Sequence, residues 1–140
     1  MNYIKQNHIN ARDKLLIIDD DNNTRLLIKK IMSDTKITII ETGCGREAFD
    51  LFSNFSNEIF LVILDIRLPV YDGWTLIPKF RQVNPRVPVI ALSAVSPQEL
   101  ALKCELAALS EYISKPFRIH ELRQIINSYY CYPFNKSDQK

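Results

Sequence analysis

The run Ile59-Phe60-Leu61-Val62-Ile63-Leu64 is apolar without a break and stops at a carboxylate, Asp65. A run this short, rich in β-branched residues, reads as a strand buried on both faces. A charge costs too much inside a parallel sheet, so Asp65 is expected at the strand's C-terminal end, where the sheet opens to water. Beyond it, Pro69 stiffens the loop, and Asp72-Gly73 is a turn pair that releases the chain into the next helix. Ligands and chemistry gather at that edge in open parallel α/β sheets, which places Asp65 as a reactive group.

The pattern recurs along the chain. Lys14-Leu15-Leu16-Ile17-Ile18 reads as a first buried strand and ends in Asp19-Asp20-Asp21; Asn22-Asn23-Thr24 then supplies N-cap chemistry for a helix over Arg25 to Ser33, with Leu27, Ile28 and Ile31 inward. Ile37 to Ile40 is a second strand, and Thr42-Gly43-Cys44-Gly45 turns into a helix over Arg46 to Phe55 striped by Ala48, Phe49 and Phe52. After the Asp65 strand, Trp74 to Gln82 is a short helix that Pro78 strains or kinks. Val87 to Leu92 is a fourth strand ending at Ser93-Ala94, and Pro97 opens a helix through Ala107 or Ala108. Glu111 to Ser114 is a fifth strand ending at Lys115-Pro116-Phe117, followed by a last helix over His120 to Tyr130. Five βα units in alternation predict an α/β fold: a five-stranded parallel, doubly wound sheet with five helices and right-handed crossovers. The expected domain spans 14–131, between an N-terminal extension or linker, 1–13, and a polar C-terminal tail, 132–140.

Composition narrows the function classes. A length of 140 residues suits one domain with a real core, and a net charge of +2 is too small to argue for nucleic acid by field alone. Lys29-Lys30 reads as a solvated helix face. Met1 to Lys14 has no apolar signal region, and the longest apolar run is too short to cross a bilayer, so no membrane association is expected. Cys44, Cys104 and Cys131 are odd in number and form no CxxC pair, which reads as reduced thiols of a cytoplasmic protein. His8 and His120 are too far apart in sequence to argue for a metal site.

The strand ends carry the chemistry. Asp19-Asp20, Asp65, Ser93 and Lys115 follow the first, third, fourth and fifth strands, and in a parallel sheet these ends share one edge. Three carboxylates packed there repel, at about 4 kcal/mol per pair for ~4 Å and an effective dielectric of ~20. They must protonate or hold a cation. An all-oxygen cluster with an ammonium nearby suits Mg²⁺, which keeps waters and takes one or two carboxylates plus a phosphate. Ser93 and Lys115 on the far side suit a phosphoryl group that Asp65 attacks in line. Each residue alone is more simply a cap or a solvated loop residue; four at C-terminal ends in correct strand order are not explained that way.

As a set, Leu16-Ile17-Ile18-Asp19-Asp20-Asp21, Leu64-Asp65-Ile66-Arg67-Leu68-Pro69 with Asp72-Gly73, Pro88 to Ala94, and Tyr112-Ile113-Ser114-Lys115-Pro116-Phe117 resemble a response-regulator receiver domain over Lys14 to about Tyr130. The resemblance implies a flavodoxin-like sheet of order 2-1-3-4-5. It implies that Asp65 accepts phosphate from a histidine. Asp20, Asp65 and the carbonyl of Arg67 would ligate Mg²⁺, with Asp19 acting through water. Ser93 takes the hydroxyl position, Lys115 pairs with the phosphoryl group, and Tyr112 is the aromatic whose rotamer follows Ser93. Lys115–Pro116 resembles a bond that is cis in the family, giving Pro116 a role in loop support. Arg67 and Val95 fall where the family tunes phosphoryl lifetime, and neither activates a water, so slow self-dephosphorylation is expected.

The sequence Lys103-Cys104, Ala107-Ala108-Leu109 and Tyr112 to Pro116 is similar to receivers at the C-terminus of hybrid histidine kinases, with Ala108 where those usually have Gly. The implied partners are a histidine kinase or histidine phosphotransfer domain, and a downstream output protein or an upstream kinase domain. A homodimer is admitted; direct DNA binding is not expected, since no helix-turn-helix follows Tyr130.

Other classes compete. Asp19-x-Asp21 matches haloacid-dehalogenase-like phosphatases, but Asn23 stands where those need Thr or Val, and there is no length for a cap domain. A flavodoxin-like FMN carrier lacks its phosphate loop after the first strand, where three carboxylates would repel the phosphate. A degenerate receiver used as a scaffold would not need every reactive position filled.

Overall fold

A computed structural model describes residues 12–68, 72–94, 98, 109 and 111–131. Five strands, β1 (Lys14–Ile18), β2 (Thr38–Thr42), β3 (Ile59–Asp65), β4 (Val89–Ser93) and β5 (Glu111–Ser114), form one parallel sheet in the order β2-β1-β3-β4-β5. Four helices stand among the described residues: α1 (Asn22–Ile31), α2 (Gly45–Phe55), α3 (Gly73–Val83) and α4 (Ile119–Cys131). Five were expected; the helix opened by Pro97 falls outside the described residues, as do Val95 and the tail from 132.

The doubly wound arrangement follows from the alternation of side chains along each strand. Leu16, Ile18, Val62, Leu64, Val89 and Ala91 face one way and meet Ala48 and Phe52 of α2 and Leu76, Ile77 and Phe80 of α3. Leu15, Ile17, Leu61, Ile63, Ile90 and Leu92 face the other way and meet Ile28 and Ile31 of α1 and Leu122 and Ile126 of α4. Both sides of β3 are covered, and all seven of its residues are buried. Fully burying each such aliphatic side chain contributes about 1.5–3 kcal/mol. The rings of Phe52 and Phe80 stack at 4.4 Å, joining α2 to α3.

Several boundaries differ from the sequence reading. Helix α1 starts at Asn22 rather than Arg25 because Asp21, not the residues after it, is the N-cap: its carboxylate accepts from the Asn23 N–H. Strand β2 runs on to Thr42, since parallel pairing continues through Ile17↔Glu41 and Ile18↔Thr42 even where the edge strand turns polar. At α3, Asp72 caps by accepting from the Thr75 N–H and hydroxyl, and Gly73 is the first helical residue. A Cβ on Gly73 would lie 2.8 Å from the Ile66 Cα, so the helix start can press against the Asp65 loop only with glycine there. Pro78 is exposed inside α3, and the helix continues through it to Val83, with Ile77 and Phe80 buried on either side.

Candidate functional site

The register brings the strand ends level. Ile18 pairs with Leu64, Asp65 with Leu92, and Ser93 with Ser114. The residues that end or follow these strands, Asp19, Asp65, Ser93 and Lys115, therefore meet at one edge. Asp19, Asp20 and Asp65 each offer a carboxylate oxygen, and these oxygens lie within 4.8 Å of one another. Backbone bonds brace the loops: Asp19 N–H donates to the Thr42 carbonyl at 3.0 Å, Lys115 N–H to the Ser93 carbonyl at 2.8 Å, and Gly73 N–H to the Ile66 carbonyl at 2.7 Å.

The sequence reading put Asp65 where the sheet opens to water. It does end β3, but it is only 5% exposed, and Asp19 is fully buried; Asp20 alone of the three is exposed. Two carboxylates can be buried here because donors meet them. Arg67 N–H donates to Asp65 Oδ1 at 2.9 Å and Asp21 N–H to Asp19 Oδ1 at 2.9 Å. Lys115 Nζ reaches Asp19 Oδ2 at 2.9 Å and Asp65 Oδ2 at 3.4 Å, so its closer partner is Asp19. The compensation is incomplete. Burial, with the Asp19 charge beside it, raises the Asp65 pKa above the ordinary carboxylate value, against the pull of the Arg67 N–H and Lys115. For Lys115 burial pulls downward, but the hydrogen bond and charge of Asp19, with Asp65, prevail and raise its pKa. Two buried carboxylates and an exposed one face one ammonium. That all-oxygen, electron-rich donor set, open on the Asp20 side, fits a hard divalent cation such as Mg²⁺.

Ser93 ends β4, fully buried. Tyr112 lies on β5 opposite Ala91 with 37% of its surface exposed, and Arg67 is exposed beside the site. The Lys115–Pro116 peptide is cis. Beside Lys115, an open, mainly apolar cavity of about 450 Å³ is lined by Asn23, Thr24, Leu27, Ala94, Pro116 and Phe117. The sequence reading missed Arg25, taken there as an ordinary first residue of a helix. Its guanidinium lies over the acidic loop, bonded to the Asp19 carbonyl, Asn22 Oδ1 and Glu41 Oε1. Asp19 and Asn22 are near it in the chain, but the third partner, Glu41, arrives only when β2 pairs with β1, so no local signal marks the full set.

A family model described as response regulator receiver domain matches residues 15–127. The chain belongs to the response-regulator receiver domains. The regulatory protein AtoC of Escherichia coli is 31% identical over 119 residues, 83% of this chain and 25% of that protein. Hybrid signal transduction histidine kinase L of Dictyostelium discoideum is 29% identical over 122 residues, 83% of this chain and 7% of the kinase. The chain thus spans a quarter or less of the length of these two relatives. A chain of the CheX–CheY–BeF3–Mg²⁺ complex from Borrelia burgdorferi superposes with a TM-score of 0.75 at 28% identity, covering 82% of this chain and 87% of that one. The phosphoacceptor function of receivers and their flavodoxin-like strand order therefore hold for this chain. Among the described residues, no helix is long and apolar enough to cross a membrane.

Proposed function

We propose that Asp65 is the phosphoacceptor, taking a phosphoryl group from the phosphohistidine of a histidine kinase or histidine phosphotransfer domain. The observation that carries this reading is the placement of the Asp65 carboxylate at the end of the central strand, oriented through Oδ1 by the Arg67 N–H and faced at Oδ2 by Lys115. In the transfer, the donor's N–P bond breaks as an O–P bond forms to Asp65, and the imidazole leaves with the electron pair of the broken bond. Lys115, bridged between Asp19 and Asp65, is placed to turn from Asp19 toward the incoming phosphoryl oxygens. Ser93, which ends β4 one strand over, is the proposed hydroxyl partner of the phosphoryl group. Asp20, Asp65 and the Arg67 carbonyl would hold Mg²⁺, with Asp19 acting through water; when bound, Mg²⁺ offsets the charge that carboxylates and phosphoryl group bring together. The Borrelia complex, which carries BeF3 and Mg²⁺, supports this ligand class.

The phosphoryl group adds about −1.5 to −2 charge at the edge. Ser93 and Tyr112 form the proposed switch, Tyr112 moving from its exposed position as Ser93 is drawn to the phosphoryl group. The output is a changed surface, read by a downstream protein, an upstream kinase domain or a second copy, in the cytoplasm. The acting unit is residues 14–131, with Pro116 supporting the Lys115 loop and Arg67 and Val95 leaving the phosphoryl group slow to hydrolyse.

The test is mass measurement after incubation with acetyl phosphate and Mg²⁺. A single acid-stable, hydroxylamine-labile phosphoryl group mapped to Asp65 is expected. Phosphorylation at another residue, or turnover of acetyl phosphate without a trapped adduct, overturns the assignment.

A further inference from the structure

Arg25 is held on three sides. Its Nε donates to Glu41 Oε1 at 2.9 Å, Nη1 donates to the carbonyl of Asp19, and Nη2 to Asn22 Oδ1. Only 16% of its side chain is exposed. The loop it bonds is also pinned from within, since Asp19 N–H donates to the Thr42 carbonyl and Asp21 N–H to Asp19 Oδ1. Peptide planarity gives the bond to the Asp19 carbonyl its significance. Fixing that oxygen fixes the plane of the Asp19–Asp20 peptide, and the Asp21 N–H held on Asp19 Oδ1 fixes the peptide on the other side of Asp20; with both planes held, the direction in which the Asp20 side chain leaves the backbone is set.

Gly43 packs against the same peptide. A Cβ on Gly43 would stand 3.0 Å from Arg25 Nη1, 3.2 Å from the Asp20 Cα and 3.3 Å from the Asp19 carbonyl oxygen. Two of those neighbours are backbone, so a methyl group there displaces the acidic loop itself by a few tenths of an ångström.

By charge alone a guanidinium beside a cation site opposes occupancy. Here Glu41 sits on Nε and offsets part of that charge, its other oxygen being taken by Lys29 Nζ at 2.5 Å, while the other two nitrogens direct their donors to the loop. We infer that Arg25, with Gly43 leaving it room, is a positioning residue that fixes the Asp19–Asp20 peptide and so presents the Asp20 carboxylate to the divalent cation. The inference rests on the Mg²⁺ reading above. It also ties the end of the edge strand β2, through Glu41, to the occupancy of the site.

The test is the Mg²⁺ dissociation constant of the full chain by isothermal titration calorimetry, well below the unfolding temperature, for the unaltered protein, Arg25→Ala, Gly43→Ala and the double variant. Arg25→Ala should bind Mg²⁺ about tenfold more weakly, the low end for partners that orient a metal ligand. Gly43→Ala, which changes no charge, should weaken binding in the same direction by less. The double variant should lose less than the product of the single losses, because both act on one peptide. If Arg25 acts through its charge, Arg25→Ala binds more tightly; if it only braces the fold, the melting temperature falls and the affinity stays. Either result overturns the inference while normal Mg²⁺ binding by the unaltered chain leaves the site reading standing. Absence of Mg²⁺ binding by the unaltered chain overturns both. Should Arg25→Ala not fold, an unchanged affinity in Gly43→Ala is the overturning result.

Discussion

The two ends of the sheet are made of the same strands and are finished in opposite ways. At the N-terminal end the side chains of Arg12, Lys14 and Arg81 close against backbone carbonyls or a carboxylate. Arg12 donates to the carbonyls of Ser56 at 3.0 Å and Ile59 at 3.2 Å, Lys14 pairs with Glu58 at 2.9 Å, and Arg81 donates to the Val87 carbonyl at 2.8 Å. At the C-terminal end Asp19 and Asp65 are buried beside an exposed Asp20, and the one ammonium between them leaves negative charge over. One end closes off hydrogen-bonding groups that the strands leave open. The other keeps an electrostatic imbalance that a cation and a phosphoryl group can resolve. The difference teaches where to look for function in such a sheet: at the edge where like charges converge on one another and are not closed against the backbone.

The sharpest way to break the comparison is to remove the charge that the C-terminal end holds in excess. Asp65→Asn should reduce phosphoryl uptake from acetyl phosphate from one group per chain to none by mass; full uptake in that variant would move the phosphoacceptor elsewhere. The N-terminal end should respond in the complementary sense. Arg12→Ala removes a donor from the Ile59 carbonyl and one of two from the Ser56 carbonyl, which keeps the Asn84 side-chain amide, and should cost about 1 kcal/mol in denaturant unfolding, with phosphoryl uptake unchanged. A variant as stable as the parent would show that these bonds only replace water.

Asp65→Asn should also stabilise the fold at neutral pH, by on the order of 1 kcal/mol, by relieving a buried carboxylate of its neighbour Asp19. The sign follows from the raised folded pKa of Asp65. Between the ordinary carboxylate value and that raised value the native state binds the extra proton, so the ionised side chain costs stability as pH rises through the window. The advantage of Asn should therefore be full above the window and fade as pH falls toward the ordinary carboxylate range. An advantage independent of pH would mean that packing, not charge, is responsible. The smallest effect is the rise of a few degrees in melting temperature that Mg²⁺ should give, by binding the native state alone. Asp20→Ala should lose most of that rise, and an undiminished response would remove Asp20 from the ligand set.

How much of this could be read from residues alone depends on whether the cause is local. The inner strands announced themselves because parallel strands buried on both faces are apolar, and β1 falls where the run Lys14 to Ile18 predicts; β5, with Ile113 alone buried, falls at Glu111 to Ser114 as its place in the βα alternation predicts. The convergence of Asp19, Asp65, Ser93 and Lys115 followed from strand alternation and needed no contact information. The start of α1 was misplaced because Asp21, Asn22, Asn23 and Thr24 are all good caps, and only backbone geometry selects Asp21. The depth of Asp65 was hidden because burying a charge depends on donors, the Arg67 N–H and the Lys115 ammonium, that tertiary structure delivers. Arg25 was invisible for the same reason: Glu41 is 16 residues away along the chain.

The site also straddles segments of unequal endurance. Asp65 and Asp19 terminate β3 and β1, strands flanked by neighbours on both sides, whereas Lys115 follows β5, a four-residue strand at the sheet's margin. Amide exchange at Leu61 to Leu64 should therefore need global unfolding, and exchange at Tyr112 and Ile113 only a partial opening of the margin. Each such opening parts Lys115 from both carboxylates while leaving the carboxylates fixed to the part of the molecule that opens last.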